Sequence, residues 1–139
     1  MITFASISSF RSKLDALLNV KRGVYAGVAN EICNAFKEIP IEQIRANRDM
    51  ILADEQSMII KLRLPDKMKH LSKADGFRLI YLVMKQIELV AFLDIYPKRG
   101  PLQQLTIDSN QLVGLLNEFT TESQTQALVL HDINQGLIP

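Results

Sequence analysis

Between Met58 and Arg99 the chain reads MIIKLRLPDKMKHLSKADGFRLIYLVMKQIELVAFLDIYPKR, and this stretch restricts the possible folds more than any other. Three apolar runs lie within it: Met58 to Leu64, Phe77 to Met84, and Ile87 to Tyr96. Each is rich in Ile, Leu, Val, Phe or Tyr and is bounded by Pro, Gly, Asp, Lys or Gln, as successive strands of one antiparallel sheet are. Lys61, Arg63 and Arg78 interrupt these runs. A cation in a core strand costs free energy unless it is paired or opens onto a site, so these three positions are where a functional reading begins.

Strand alternation puts Ile59, Lys61 and Arg63 on one face and Met58, Ile60, Leu62 and Leu64 on the other. Lys61 and Arg63 then project about 7 Å apart along the strand, a spacing that suits neighbouring phosphates or one phosphate held from two sides. The plain alternative is a solvated face carrying ordinary surface charges. Arg78 lies in FRLIYLV, which reads as a central strand apolar on both faces, so its guanidinium needs a partner. An ion pair with Asp75 or Asp94 would serve, and so would a phosphate held by the bidentate fork. A tight hairpin at Met84 to Ile87 with a two-residue turn would set Arg78 opposite Leu93 and leave Asp94 and Tyr96 on the other face, unless a bulge changes the count. Tyr96-Pro97-Lys98-Arg99 leaves the sheet with a phenol and two cations, which could stack on a base and neutralise phosphate or simply form a surface turn.

Around this stretch the chain reads as α+β. A β-prone run from Ile2 to Ile7 is followed by Ser8 or Ser9 as a helix cap, then by Phe10, Leu14, Leu17 and Leu18 at helical spacing. Beyond Lys21-Arg22-Gly23, the residues Tyr25, Val28, Ile32, Phe36 and Ile39 form a second stripe, so a helical hairpin is expected to cover one side of the sheet. Pro40 ends that helix or opens a short third one through Ile41 and Ile44, and Asn47 to Gln56 reads as polar surface. After Gly100-Pro101, Asp108 or Ser109 can cap a closing helix with Leu112, Val113, Leu115, Leu116 and Phe119. The expected architecture is an N-terminal strand and helical hairpin packed on a small twisted antiparallel sheet, with a C-terminal helix. Residues 1–119 form one domain, and 120–139 form a tail, either an edge strand or mobile.

Other chemistry is sparse. With 139 residues and 47 % hydrophobic content the chain is long enough for a core of its own, and its formal charge of +1 means that any basic surface is local. Cys33, the only cysteine, lies on an apolar helical stripe and has no disulfide partner within the chain; a reducing, cytoplasmic setting is expected. The N-terminal residues lack the order of a secretory signal, and no apolar run reaches the roughly 18 to 20 residues of a membrane span. His70 and His131 fall in loop or tail without a catalytic partner at diagnostic spacing. Phosphate loop, nucleophile elbow and paired metal-binding histidines are absent from the sequence.

The order strand, two helices, three antiparallel strands and closing helix, with KLRLP, GFRLIYLV and LDIYPKRG, resembles the RelE-like toxins of bacterial toxin-antitoxin pairs from Ile2 to about Phe119. That resemblance implies an mRNA interferase: a ribosome-dependent endoribonuclease that inhibits translation in the ribosomal A site, needs no cofactor or metal, and is silenced by a cognate antitoxin protein. Members activate the ribose 2′-OH to attack the adjacent phosphate, with cations holding that phosphate and a general acid protonating the leaving oxygen. Lys61 and Arg63 match the basic residues of the family's second strand, Arg78 the arginine opening its third, and Lys98 a cation after its last strand. Tyr96 falls near a proton-transferring histidine or tyrosine, while Lys67 and Arg99 are expected to bind RNA. Two departures favour a non-enzymatic relative, either gyrase-directed and ParE-like or retaining only antitoxin binding. The chain is nearly neutral, and GPLQQLTID lacks the tyrosine that some members carry, which leaves Lys61 as a candidate base only if its ammonium is depressed in pKa. A third reading makes the tail an oligomerisation strand of an unrelated α+β domain.

Overall fold

The computed structural model of the chain describes residues 2–37 and 50–137. Its fold is α+β: β1 (Thr3–Ser6), α1 (Ser8–Leu18), a 3-10 turn at Lys21–Gly23, α2 (Val28–Phe36), β2 (Met50–Ala53), β3 (Ser57–Leu64), a second 3-10 turn at Lys67–Lys69, β4 (Phe77–Met84), β5 (Leu89–Pro97), α3 (Ser109–Gln124) and β6 (Val129–His131). The strands form one sheet in the order β2-β3-β4-β5-β1-β6.

The β3-β4-β5 meander follows from the three apolar runs, but the sheet is mixed instead of wholly antiparallel. β1 inserts parallel to β5, with Thr3 opposite Leu89 and Ser6 opposite Phe92. Asn47 to Gln56 is not simply polar surface, because its central residues MILA make β2 against β3. Four residues give too little alternation to stand out between polar neighbours. The possible short helix after Pro40, through Ile41 and Ile44, lies outside the described residues.

α1 and α2 cover the sheet face that carries Phe77 and Tyr81. Phe10 stacks on Phe92 at 5.3 Å, Phe36 meets Tyr81 edge-on at 5.1 Å, and Tyr25 meets Phe77 at 6.1 Å, an aromatic floor that closes the core. α3 packs Leu112, Leu115, Leu116 and Phe119 against the core. It continues to Gln124, into the segment read from the sequence as a tail from residue 120, and the last segment returns as β6 on β1, with Ile133 and Leu137 buried.

Neither Ser8 nor Ser9 caps α1: the N-cap is Ile7, which supplies no side-chain acceptor. Two glutamates of α3 take that role from a distance in sequence. Both Glu122 carboxylate oxygens accept from the Ser8 amide at 3.1 Å, and Glu118 accepts from the Ser9 amide at 2.7 Å. Acids at i and i+4 of the closing helix thus satisfy the exposed donors, and favourable dipole, of the first helix. α3 itself starts with a capping box formed by Asp108 and Gln111. Among the described residues no helix is long and apolar enough to cross a membrane.

Asp66, in the β3–β4 connection, is 2 % exposed, and its Oδ1 has no hydrogen-bond partner. Burial raises its pKa, opposed by the Lys69 amide and reinforced by the charge of Glu31. A raised carboxyl pKa means that ionisation costs more in the folded chain, so this group's contribution to stability falls as pH rises from the unfolded value through the folded one. Asp66→Asn is therefore expected to stabilise the protein by about 1 kcal/mol at neutral pH, with the gain vanishing below about pH 4. Urea denaturation at the two pH values checks this, and an equal or reversed difference would contradict it.

Candidate nucleic-acid interface

Strand register assembles the site. In the β3–β4 ladder Lys61 stands opposite Ile80 and Arg63 opposite Arg78. In the β4–β5 ladder Arg78 stands opposite Tyr96 and Ile80 opposite Asp94. Directly opposed residues share a face, so Lys61, Arg63, Arg78, Asp94 and Tyr96 all project away from the face that α1 and α2 cover. The two-residue turn expected at Lys85-Gln86 is instead a four-residue turn that leaves Met84 opposite Leu89. Lengthening by two preserves parity and would still have put Asp94 and Tyr96 on the wrong side. A bulge reverses it: Tyr81 pairs with Phe92 and Ile80 with Asp94, leaving Leu93 as the extra residue.

Arg78 is 7 % exposed. Its guanidinium donates to the carbonyls of Lys73 at 2.8 Å, Ala74 at 3.0 Å and Phe77 at 3.1 Å. The fork thereby braces the end of the β3–β4 connection and delivers its charge to the face from a fixed position. The two carboxylates expected as its partners make ion pairs elsewhere: Asp75 binds Arg99 at 2.6 Å and Asp94 binds Lys13 at 2.6 Å.

Lys98 stands where the chain leaves β5. Its amide donates to Gly76 O at 2.9 Å, and its ammonium donates to the carbonyl of Leu105. Partial burial, followed by the neighbouring charges of Arg78, Lys61, Arg99 and Arg63, lowers the pKa of that ammonium. Cations from β3, from β4 and from the segment after β5 therefore lie close enough to act on Lys98. Arg99 reaches back with Nε and Nη2 to Asp75, joining the two loops at the rim. Lys67 is not drawn into this group in the same way: it lies on the 3-10 turn beside α2, where its amide donates to Glu31.

The segment from Lys98 to Asp108 is held by residues that the sequence pattern did not mark for that role. Tyr25 donates to Arg99 O at 2.8 Å and accepts from the Leu102 amide at 3.0 Å. Gly100 turns above that phenol with φ +88°, where a Cβ would lie 2.5 Å from the Tyr25 oxygen. Lys13 of α1 donates to Gln104 at 3.2 Å while ion-paired with Asp94. β1 pairs with β5 only as far as Phe92, so the last residues of β5 are open on that side and Lys13 can reach them. Nothing in α1 marks Lys13, since Lys is the ordinary residue for the outer face of an amphipathic helix.

Tyr96 is 1 % exposed, with the Lys13 ammonium 5.5 Å from its ring centroid, so the ring is not available to stack on a base. Burial, then the Asp94 charge, raises the phenol's pKa against the pull of Arg78. Asp94 is itself raised by burial, with Lys13 opposing. His131 lies within 2.7 Å of Ser6 Oγ through Nε2 and joins β6 to β1, while His70 closes the second 3-10 turn in the left-handed conformation. Cys33 is buried, and burial raises its thiol pKa. No group of three or more potential metal-binding side chains occurs among the described residues.

What this arrangement offers chemically is a basic rim around Lys98, with Arg99 already paired to Asp75, that attracts anions. No protein-family model matches the chain, and no curated protein matches it.

Proposed function

We propose that this chain is a RelE-like toxin of a type II toxin-antitoxin pair and acts as a ribosome-dependent mRNA endoribonuclease. The observation that carries this reading is the strand register, which sets Arg63 opposite Arg78 and Lys61 on the same face, with Lys98 and Arg99 following Pro97 where it pairs with Phe77. Several cations gathered on one face of a rigid sheet attract an anion, and a phosphate has the matching sign. On this reading Lys61 and Arg63 hold the non-bridging oxygens of the scissile phosphate, and Arg78 adds charge from its braced position. The ribose 2′-oxygen gives its proton to a solvent water and bonds to phosphorus; the bond to the 5′-oxygen breaks, and that oxygen takes a proton. Lys98 is the protein's candidate for this second transfer, because its ammonium gives up a proton more readily than an ordinary lysine. Tyr96 is buried and serves as the floor beneath the cations instead of the proton donor. The partners are mRNA on the ribosome and an antitoxin whose acidic groups would meet the same cations.

One observation favours the rival reading, a ParE-like gyrase-directed or antitoxin-binding relative without catalysis. Tyr96 and Arg78 are both covered, so the site offers less exposed proton-transfer chemistry than its charge suggests. Expression followed by primer extension on cellular mRNA separates the two. Growth arrest with codon-linked 5′ ends is expected; arrest with intact mRNA would overturn the nuclease and favour the rival.

A further inference from the structure

We infer that Lys13, on the first helix, is a positioning residue for Lys98, acting through Gln104; the inference rests on the nuclease reading for its kinetic consequence but not for its structural one. The connection runs through consecutive contacts. Asp94, buried in β5, fixes the Lys13 ammonium at 2.6 Å. Lys13 donates to the Gln104 side-chain oxygen at 3.2 Å, so Gln104 is held from the α1 side. The other end of the same amide donates to Thr106 O at 3.0 Å, and the Gln104 backbone amide donates to Pro97 O at 3.0 Å. Between Gln104 and Thr106 sits Leu105, whose carbonyl receives the Lys98 ammonium. The atom that holds Lys98 therefore belongs to the residue flanked by both anchors.

Chain geometry makes these contacts act as one unit. Residues 101–108 contain no helix or strand, so nothing in the backbone ladder fixes the Leu105 carbonyl. Leu105 is 84 % exposed, so packing of its side chain does not fix it either. Apart from Ile107, which packs on the core two residues further on, polar anchors set the position, and Lys13 ties this loop to α1. A buried carboxylate beneath Lys13 selects one direction for its long flexible stem, which lowers the entropy cost of holding Gln104. Releasing the anchor lets Leu105 drift and frees Lys98 to swing into solvent, away from Arg78, Lys61 and Arg63. Displacing a reacting group by about 1 Å costs up to about 100-fold in rate.

Gln104→Ala is the primary variant, because it cuts the connection while leaving the Lys13–Asp94 pair in place. Lys13→Met is secondary, since it strands a buried carboxylate, and Lys13→Arg is the rescue. With the full chain carrying 13C-labelled lysine, the Lys98 side-chain titration is followed by NMR. In Gln104→Ala and Lys13→Met the Lys98 midpoint should rise towards that of an ordinary lysine, with a rate loss of roughly 10- to 100-fold in ribosome-dependent cleavage. Lys13→Arg should restore both. An unchanged Lys98 titration in folded Gln104→Ala overturns the inference whatever the nuclease does. Wild-type protein that leaves mRNA intact, while the Lys98 midpoint shifts as expected, overturns the nuclease reading and upholds the positioning role.

Discussion

Gly76→Ala will destabilise the fold by about 3 kcal/mol, the upper end of the usual cost of forcing an extra methyl into a packed site. The added carbon would lie 2.1 Å from Leu64 O, 2.8 Å from Pro65 C and 2.9 Å from Asp66 N. All three are main-chain atoms at the end of β3, so no side chain can rotate to make room. The β3 and β4 backbones approach here because Phe77 pairs with Leu64 and Gly76 O receives the Lys98 amide. Separating them loosens the ladder and moves Lys98 together with it. Gly114→Ala is the control. This glycine is in α3, and an added methyl would meet nothing within 4 Å, so alanine should stabilise by roughly 0.5–1 kcal/mol through helix propensity. Denaturant midpoints moving in opposite directions are the expected result, and a neutral Gly76→Ala would show that the two strands are not packed this tightly.

Removing Lys61, Arg63 and Lys98 together by alanine substitution will abolish ribosome-dependent cleavage, by at least about 10³-fold, while leaving the protein folded. The size follows from losing several charges at a developing oxyanion, each typically worth 10²- to 10³-fold or about 2.7–4 kcal/mol where it acts in the transition state, with full additivity not assumed. None of the three is in the buried core, whereas Arg78 braces the β3–β4 connection and is left in place so that unfolding does not mimic inactivity. Affinity for a single-stranded oligoribonucleotide should also become less salt-dependent. At about 0.7 in log–log slope per neutralised phosphate, losing the one phosphate that this patch holds lowers the slope by roughly 0.7. Cleavage or salt dependence that survives in the folded triple variant would remove these side chains from the mechanism.

The central meander was legible because three long apolar runs with clear punctuation admit little else, and β4 begins and ends where its pattern does. The mixed sheet was not. A four-residue strand such as β1 carries no sign of the direction in which it will pair, and its parallel place beside β5 is set by the path of α1 and α2 over the sheet. The site was half legible. Alternation along β3 placed Lys61 and Arg63 on one face, but counting across the hairpin put Asp94 and Tyr96 on the opposite face from Arg78. A single extra residue at Leu93 decides that question, and nothing in AFLDIYP marks a bulge. The partner of Arg78 escaped for a different reason: main-chain carbonyls have no letter in a sequence, so a guanidinium satisfied by Lys73, Ala74 and Phe77 reads as one looking for an acid. Lys13, Gln104 and Tyr25 are single polar residues far from Lys98 in the chain, and only the folded path brings them beside it.

The proposed chemistry depends on one patch, shared by two strands and the segment that follows a third, receiving one phosphate. Titration of the full chain carrying 13C-labelled lysine and arginine with a short single-stranded oligoribonucleotide, followed at the side chains of Lys61, Arg63 and Lys98, tests this most directly. The three signals should shift together with one dissociation constant, and the Lys98 midpoint should rise as the phosphate charge offsets its neighbours. Signals that shift with unrelated affinities, or stay still while RNA binds elsewhere on the surface, would contradict it.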